Sequence, residues 1–307
     1  MRYLVVAALS SVVTAWCPVY ADVLTNVTCI DGAVCPPEVN QTSVVTTVSG
    51  GVRSIHTSRC APYREWTCAK SPRLQPACQS PATYRIPAEP FRAKVAFPVG
   101  MGYQRGETRV SIPTNTTKPP FQGVIGVLTT GVPIYSVAVR KSLVSRQAVE
   151  EDAFMDVRAG ASDIEDFCGG FVDVDGIYHV HRLPRRVVWA QRDGDRARCG
   201  LPHDDQEPPG RHSEQLGYML DGFPIYGPRD ANAQPTRDLL DECGGHEATT
   251  EGEPSGYHYH FTDEYPFSIE CFRGCPLTNS GNTQLDAFAA RCVRDDEYHS
   301  RSRASEL

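Results

Sequence analysis

The chain has 307 residues, and 30 Lys and Arg against 37 Asp and Glu give it a formal net charge of −7. The basic residues are scattered, which argues against nucleic acid or an anionic membrane surface as the main partner. Twenty-four prolines and 25 glycines, with little long helical periodicity, indicate a fold built mainly from short strands and loops.

Residues 1–21 have the pattern of a cleavable signal peptide. Arg2 is followed by an apolar stretch over 4–13, and Val19, Tyr20 and Ala21 form a small-residue exit. The apolar stretch is too short for a comfortable membrane span, although a retained anchor is the rival interpretation. We therefore expect a secreted, extracellular protein with no membrane span after signal cleavage.

Residues 22–90 are polar, rich in proline and rich in cysteine. The chain contains twelve cysteines, and Cys17 lies within the signal, so an odd number remains in the mature protein. Disulfides explain this segment better than a zinc site, because it has no Cys-x-x-Cys pair and His56 is its only histidine. We predict a separable, cysteine-rich N-terminal segment. Three sequons, at Asn26, Asn40 and Asn115, further predict a glycoprotein.

The texture of the sequence changes near residue 91. Alternating or β-branched runs over 94–97, 108–112 and 123–128 predict strands bounded by glycine and proline. Apolar spacing predicts short helices over 140–157 and 284–294. The charged residues 293–307 predict a disordered tail, which leaves 91–292 as the main domain.

Three sequence blocks occur twice in the same order within this domain. Gly-x-Pro-Ile-Tyr stands at 131–135 and 222–226, Cys-Gly-Gly at 168–170 and 243–245, and Tyr-His-x-His at 178–181 and 257–260. We predict a mainly β fold in which two similar β-rich repeats pack about an approximate two-fold as one disulfide-braced domain with few short helices. The order of cysteine, His-x-His and cysteine in each copy predicts the disulfides Cys168–Cys199 and Cys243–Cys271.

The two His-x-His elements predict a metal site. Side chains alternate along a strand, so His179 and His181 share one face, as do His258 and His260. Imidazole is a common ligand for copper and zinc, and the predicted two-fold would bring the two pairs to one ion. His246 is the expected fifth ligand or outer partner. The alternative is that the histidines only form hydrogen bonds within a rim of loops.

Evidence for catalysis is thin. Asp166, Asp241 and Glu242 beside the turns could be ligands or general bases, although acidic residues beside turns are usually solvated. No serine or cysteine nucleophile motif and no phosphate-binding glycine loop is present. The sequence therefore assigns no catalytic residue.

The tetrad at 257–260 resembles the signature of the YHYH-domain proteins. The segments at 212–213, 217–218, 221–227, 240–246 and 271–274 are similar to the flanking pattern of that family, so the resemblance spans about 160–275. It implies a secreted protein but no defined activity. The first copy departs from the pattern, because Val180 replaces the inner tyrosine and Phe171 stands where the second copy has His246.

Two functional hypotheses follow. The first is a secreted metal-binding protein, with a metal-dependent enzyme as one form of it and an unknown small molecule or surface ligand as partner. The second is a non-catalytic, disulfide-braced binding or surface module with structural histidines. An open coordination position would favour the enzyme, whereas a closed shell or no metal would favour the module.

Overall fold

A computed structural model describes residues 44–59, 81–100, 103–105, 108–110, 123–141, 149–152, 170–172, 177–182, 211–232, 236–247, 256–262, 267–280 and 282–296. Strands dominate this part of the chain, which confirms the mainly β prediction. The predicted signal segment, the three sequons and residues 297–307 lie outside the described residues. Among the described residues there is no helix long and apolar enough to cross a membrane.

The described part of the chain forms short strands, one 3₁₀ helix and one α-helix. The strands are β1 (Val44–Ser49), β2 (Val52–Thr57), β3 (Ala82–Pro87), β4 (Arg92–Pro98), β5 (Tyr103–Arg105), β6 (Thr108–Val110), β7 (Val124–Leu128), β8 (Pro133–Tyr135), β9 (Ala138–Lys141), β10 (Val149–Asp152), β11 (Gly170–Val172), β12 (Tyr178–Val180), β13 (Gln215–Met219), β14 (Pro224–Tyr226), β15 (Gly245–Glu247), β16 (Tyr257–His260) and β17 (Cys271–Gly274). A 3₁₀ helix spans Thr236–Leu239, and the α-helix α1 spans Thr283–Ala289. Strands therefore occur at all three stretches where the sequence predicts them, in β4, β6 and β7.

Eight strands form the central sheet in the order β11-β12-β8-β7-β13-β14-β16-β15. Read from either edge towards the centre, the pairings are antiparallel, parallel and antiparallel, and β7 meets β13 antiparallel in the middle. This order is what two four-strand units related by a two-fold between β7 and β13 would give. The repeat itself stays a prediction, and the strand order supports it.

The hairpins β7–β8 and β13–β14 each close through a glycine. Gly131 and Gly222 have φ of 83° and 94°, a left-handed conformation that favours glycine over other residues. In the first hairpin the Gly131 N–H donates to the carbonyl of Leu128 at 2.8 Å, and in the second the Gly222 N–H donates to that of Met219 at 2.9 Å. The Gly-x-Pro-Ile-Tyr blocks are therefore turns that lead into β8 and β14.

The hydrophobic core lies against the central sheet and includes residues from the N-terminal strands. Ile55 of β2 and Ile86 of β3 belong to the same buried cluster as Ile125 of β7 and Ile225 of β14. The Thr57 hydroxyl also donates to the carbonyl of Gly131 at 3.1 Å. These contacts weigh against a separable 22–90 segment, and that boundary remains a prediction for a truncation experiment.

The C-terminal part is held by two disulfides. Cys243–Cys271 confirms one predicted pairing, while Cys168 and Cys199 lie outside the described residues. Cys275–Cys292 joins the segment after β17 to the end of α1. That helix confirms the one predicted over 284–294, and Asn282 caps it by accepting from the N–H groups of Gln284 and Leu285. Arg294 lies within the tail predicted to be disordered from residue 293, yet it forms a β-bridge with Ala93.

The helix predicted over 140–157 is wrong where the structure describes that stretch. Residues Ala138–Lys141 and Val149–Asp152 pair instead as the antiparallel ribbon β9–β10. Apolar residues spaced for a helix include Val149, and β-branched residues also suit a strand. The hydrogen-bonded pairing of β9 with β10 therefore favours the strand over the helix in this stretch.

Candidate metal centre

Strand β16 divides its four side chains between two faces. Tyr257 and Tyr259 face the core, where both rings contact Phe223, with ring centroids 5.0 and 6.2 Å away. His258 and His260 share the opposite face with imidazole centroids 5.0 Å apart, and both are fully buried. The predicted alternation of His-x-His is confirmed here.

Two further histidines converge on this pair. His246 of β15 lies directly opposite His258 in the strand register, and its Nε2 is 3.0 Å from Nε2 of His258 and 3.1 Å from Nε2 of His260. His212, just before β13, places its Nε2 3.3 Å from that of His258. We call His212, His246, His258 and His260 the four-histidine cluster; its ligand atoms all lie within 4.8 Å of one another.

Short-range contacts hold His212 in this position. The Ser213 N–H donates to the carbonyl of Arg229 at 3.1 Å, and the Arg229 N–H donates to the Ser213 hydroxyl at 3.0 Å. This pair ties the residues before β13 to those after β14. His212 is thereby presented to β16 from a neighbouring part of the sheet, and its side chain stays half-buried.

Backbone carbonyls fix the tautomers of three of the four rings. Nδ1 of His258 contacts the carbonyl of Gly256 at 3.0 Å, Nδ1 of His212 that of Ser213 at 2.7 Å, and Nδ1 of His260 that of Gly227. A carbonyl oxygen only accepts, so each Nδ1 carries the proton and each Nε2 presents a lone pair. Such outer hydrogen bonds are what orient histidine ligands in metal sites.

The Nε2 spacing suits a transition-metal ion. Four nitrogens at about 2.0–2.1 Å from a tetrahedral ion are separated from one another by about 3.3 Å. The three Nε2–Nε2 distances of 3.0, 3.1 and 3.3 Å match that spacing. The cluster could therefore hold a metal ion, and imidazole suits copper and zinc alike.

Burial keeps at least one ring ready to bind. Burial lowers the pKa of His260 well below its usual value, and the neighbouring rings of His258, His212 and His246 lower it further, against the opposing effect of the Gly227 carbonyl. A neutral ring is the form that binds a cation. Tyr226 lies beside the cluster, with its ring centroid 4.9 Å from that of His212 and 5.2 Å from that of His258.

The core-facing tyrosines are anchored by acidic residues. The Tyr259 hydroxyl donates to Asp221 at 2.6 Å and accepts from the Arg273 N–H at 2.7 Å. The Tyr257 hydroxyl donates to Asp241, whose carboxylate also accepts from Arg273 Nε at 3.0 Å. Glu242 pairs with the same guanidinium at 2.9 Å. Asp241 thus holds Tyr257 of β16, and Glu242 shares the Arg273 guanidinium with it. Neither carboxylate belongs to the four-histidine cluster. Asp166 lies outside the described residues.

The structure separates the two predicted His-x-His pairs. His179 and His181 lie on β12, and five strand spacings separate β12 from β16 in the sheet. At about 4.8 Å per spacing this is roughly 24 Å, too far for one ion. The sequence-based prediction assumed that a two-fold would bring the two His-x-His strands together. In the observed strand order, β12 and β16 instead lie near opposite edges of the sheet.

Of the predicted residues, the structure therefore brings together His246, His258 and His260 and adds His212. Sequence reasoning missed His212 as a ligand because it lies 46 residues from His258 and belongs to neither His-x-His pair. The available signal was its position: His212 and Ser213 belong to the flanking blocks that resemble the YHYH family.

Comparison with known proteins bears on this resemblance. The family model of the YHYH protein matches residues 108–239. The resemblance is confirmed, but its extent differs from the expected 160–275: the match includes the tetrad at 178–181 and ends before the one at 257–260. No curated protein and no solved structure matches the chain.

Proposed function

We propose that this chain, which carries a YHYH domain, is an extracellular metal-binding protein whose ion is held by the four-histidine cluster. The observation that carries the proposal is the convergence of four Nε2 atoms with three of the rings held by carbonyls in the tautomer that binds metal. Three of the four histidines are more than nine-tenths buried. Such an arrangement is costly to maintain without a cation to share the lone pairs.

The ligand set narrows the ion to the class that prefers imidazole. The cluster contains four nitrogen donors and neither a thiolate nor a carboxylate. Oxygen-seeking calcium and magnesium are therefore poor candidates, while copper and zinc suit it. A bound divalent ion would keep its full charge, since the ligands are neutral.

His212 gives the proposed site an approach from solvent. It is half-buried, and so is the neighbouring Tyr226, whereas His258 and His260 are fully buried. An unknown small molecule or surface ligand would reach the ion from this side. If His212 moved away, three histidines and an open position would remain, which is the ligand count of catalytic zinc sites.

Secretion belongs to the same proposal. The two disulfides of the described residues fit an oxidising compartment. Expression of the full chain in a secretory host should release a product that begins after Ala21 and is shortened by a glycosidase specific for Asn-linked glycans. A product retained with residues 1–21 attached would contradict this part of the proposal.

The direct test is elemental analysis of untagged protein secreted by an oxidising host. We expect stoichiometric copper or zinc in the wild type and its loss from the four-histidine cluster in a His258→Asn/His260→Asn variant. His56→Asn is the matched control, because His56 is exposed on β2, where its Nδ1 lies 2.8 Å from the Thr83 hydroxyl. The same metal content in the double variant as in the wild type, or no stoichiometric metal in the wild type, would favour a module with structural histidines.

A copper-loaded sample also tests whether the ion has an open position. Nitrogen hyperfine coupling in its paramagnetic resonance spectrum would report the imidazoles. A change of that spectrum on adding azide would show that a small anion reaches the ion, as an enzyme requires. An unchanged spectrum would support a closed, non-catalytic shell.

A further inference from the structure

The pair His179 and His181 on β12 reproduces half of the four-histidine cluster. Their Nε2 atoms are 3.2 Å apart, within the range found among the four clustered histidines. Both side chains are 2% exposed. The spacing is the one expected for two nitrogens on a shared ion.

The same backbone groups orient this pair. Nδ1 of His179 donates to the carbonyl of Ile177 at 3.0 Å, as His258 does to that of Gly256, two residues before it in each case. Nδ1 of His181 donates to the carbonyl of Ser136 at 2.7 Å, just after β8, as His260 does to that of Gly227 just after β14. Both Nε2 atoms therefore present lone pairs, and these face each other.

The two rings meet edge to face, with centroids 4.9 Å apart and an angle of 82° between their planes. The repulsion between the two lone pairs is a cost of this arrangement. A metal cation shared by the two nitrogens would relieve the repulsion and is stabilised by both.

We propose that His179 and His181 form a second metal site, with two protein imidazoles and an ion of the same copper or zinc class. Phe171 stands opposite His179 in the register, where His246 stands opposite His258, so this position supplies no ligand atom. Arg182, the next residue, adds a positive charge that opposes a cation. The second site therefore binds more weakly than the first and leaves coordination positions for water or a small anion.

The tyrosine beside the second site contacts its histidine differently from the tyrosine beside the four-histidine cluster. It stacks on His179 with centroids 3.9 Å apart, whereas the corresponding Tyr226 meets His258 edge-on at 5.2 Å. Close stacking limits how far the His179 ring can turn. Close stacking on Tyr135 thus holds the pair in an orientation that suits metal binding.

The test is a metal titration of the full chain, first stripped by a chelator, with zinc or copper as the probe. We expect two ions per wild-type chain, one strong ion in His179→Asn/His181→Asn and one weak ion in His258→Asn/His260→Asn. If His179→Asn/His181→Asn binds as many ions as the wild type, the second site is overturned while the proposed function stands. If His179→Asn/His181→Asn loses the strong ion and His258→Asn/His260→Asn keeps it, the proposed function is overturned instead.

A variant that gains metal affinity is a second test, because misfolding cannot explain a gain. Phe171→His places an imidazole at the register position of His246, and one added ligand should tighten the weak site by about 100-fold, the share of one ligand in a four-ligand zinc site. His258→Asn/His260→Asn provides the background in which only the weak site is measured. Unchanged affinity on that background would contradict the proposal.

Discussion

Tyr259 stands between His258 and His260 on β16, and its hydroxyl is hydrogen-bonded to Asp221 and to the backbone N–H of Arg273. The Tyr259→Phe variant removes a donor to Asp221 and an acceptor of the Arg273 N–H. We expect a loss of about 1–3 kcal/mol in the free energy of unfolding, since buried groups lose partners. Urea denaturation measures this.

Tyr218→Phe is the control for that variant. Tyr218 is only partly buried, and Arg53 lies over its ring at 4.1 Å, a contact that does not require the hydroxyl. Its stability should change by no more than about 0.5 kcal/mol. Equal losses in the two variants would show that the Tyr259 hydroxyl has no special part in bracing β16.

Asp221 makes stability depend on pH. Burial raises the pKa of this carboxyl to about 6, against the opposing effect of its hydrogen bonds. A raised pKa means that the folded protein binds the proton more tightly than the unfolded chain, so the stabilisation is complete below about 3.8 and is lost as pH rises through about 6. The shift corresponds to about 3 kcal/mol.

Asp221→Asn isolates this contribution. With a chelator present, the unfolding free energies of wild type and variant are measured from pH 4 to 7. Their difference should shift by about 2 kcal/mol across that window, in favour of the wild type at the acidic end. A difference that stays constant with pH would show that Asp221 titrates near its ordinary value.

For single residues, the sequence was informative where the alternation of side chains along a strand determines which face a residue occupies. The shared face of His258 and His260 follows from strand period alone, and His246 follows from the Cys-Gly-Gly block. His212 could not be assigned in this way, because its approach to the others depends on the pairing of Ser213 with Arg229 across the sheet.

At the scale of elements, the disulfide Cys243–Cys271 ties the turn before β15 to the start of β17. The two cysteines are 28 residues apart, and the loop they close contains the whole of β16. Replacing both by serine should cost about 3.5 kcal/mol in the chain-entropy model. It should also weaken metal binding, because β15 carries His246.

Cys275→Ser/Cys292→Ser is the matched control. That bridge spans 17 residues and joins the β17 region to α1, which carries no clustered histidine. A similar loss of about 3 kcal/mol is expected with unchanged metal affinity. Isothermal titration of the two variants would separate the effects; equal affinity in both would show that the bridge near β15 does not support the site.

The β9–β10 ribbon shows where element prediction from sequence ends. Local apolar spacing over 140–157 favours a helix, yet two short strands pair there. The helix α1, by contrast, has a local cap at Asn282 and a buried Leu285, so its signal is contained in neighbouring residues. The sequence therefore predicted elements whose residue pattern fits one structure, such as α1, and failed at 140–157, where the same residues fit a helix or a strand.

For the whole molecule, the N-terminal strands share one core with the histidine-bearing sheet. Ile86 of β3 is fully buried in that core. Ile86→Ala should lower the free energy of unfolding by about 2–5 kcal/mol in a single transition that also releases metal. Val48→Ala is the control, since Val48 is 60% exposed in the same small sheet.

Two separate transitions in Ile86→Ala, with metal retained through the first, would instead restore the separable N-terminal segment. A chain that begins at Pro90 makes the same comparison. The prediction from sequence is that it stays folded and keeps metal, whereas the packing of Ile55 and Ile86 predicts loss of cooperative unfolding.

The arrangement of the two halves was only partly predictable. The repeated blocks predict two similar units, and the order of strands in the central sheet supports them. No local pattern states that β7 and β13 meet at the centre, which is the pairing that places β12 and β16 near opposite edges. The sequence therefore predicted the histidines of β12 and β16 as pairs on one face of a strand, but not the distance between the two pairs in the sheet.

X-ray absorption at the metal edge of untagged, secreted protein tests the central claim most directly. In a His179→Asn/His181→Asn background, which retains only the four-histidine cluster, we predict about four nitrogen neighbours at about 2.0–2.1 Å with the outer-shell scattering of imidazole rings. A shell dominated by oxygen or sulfur, or no metal above background, would contradict a metal centre built from His212, His246, His258 and His260.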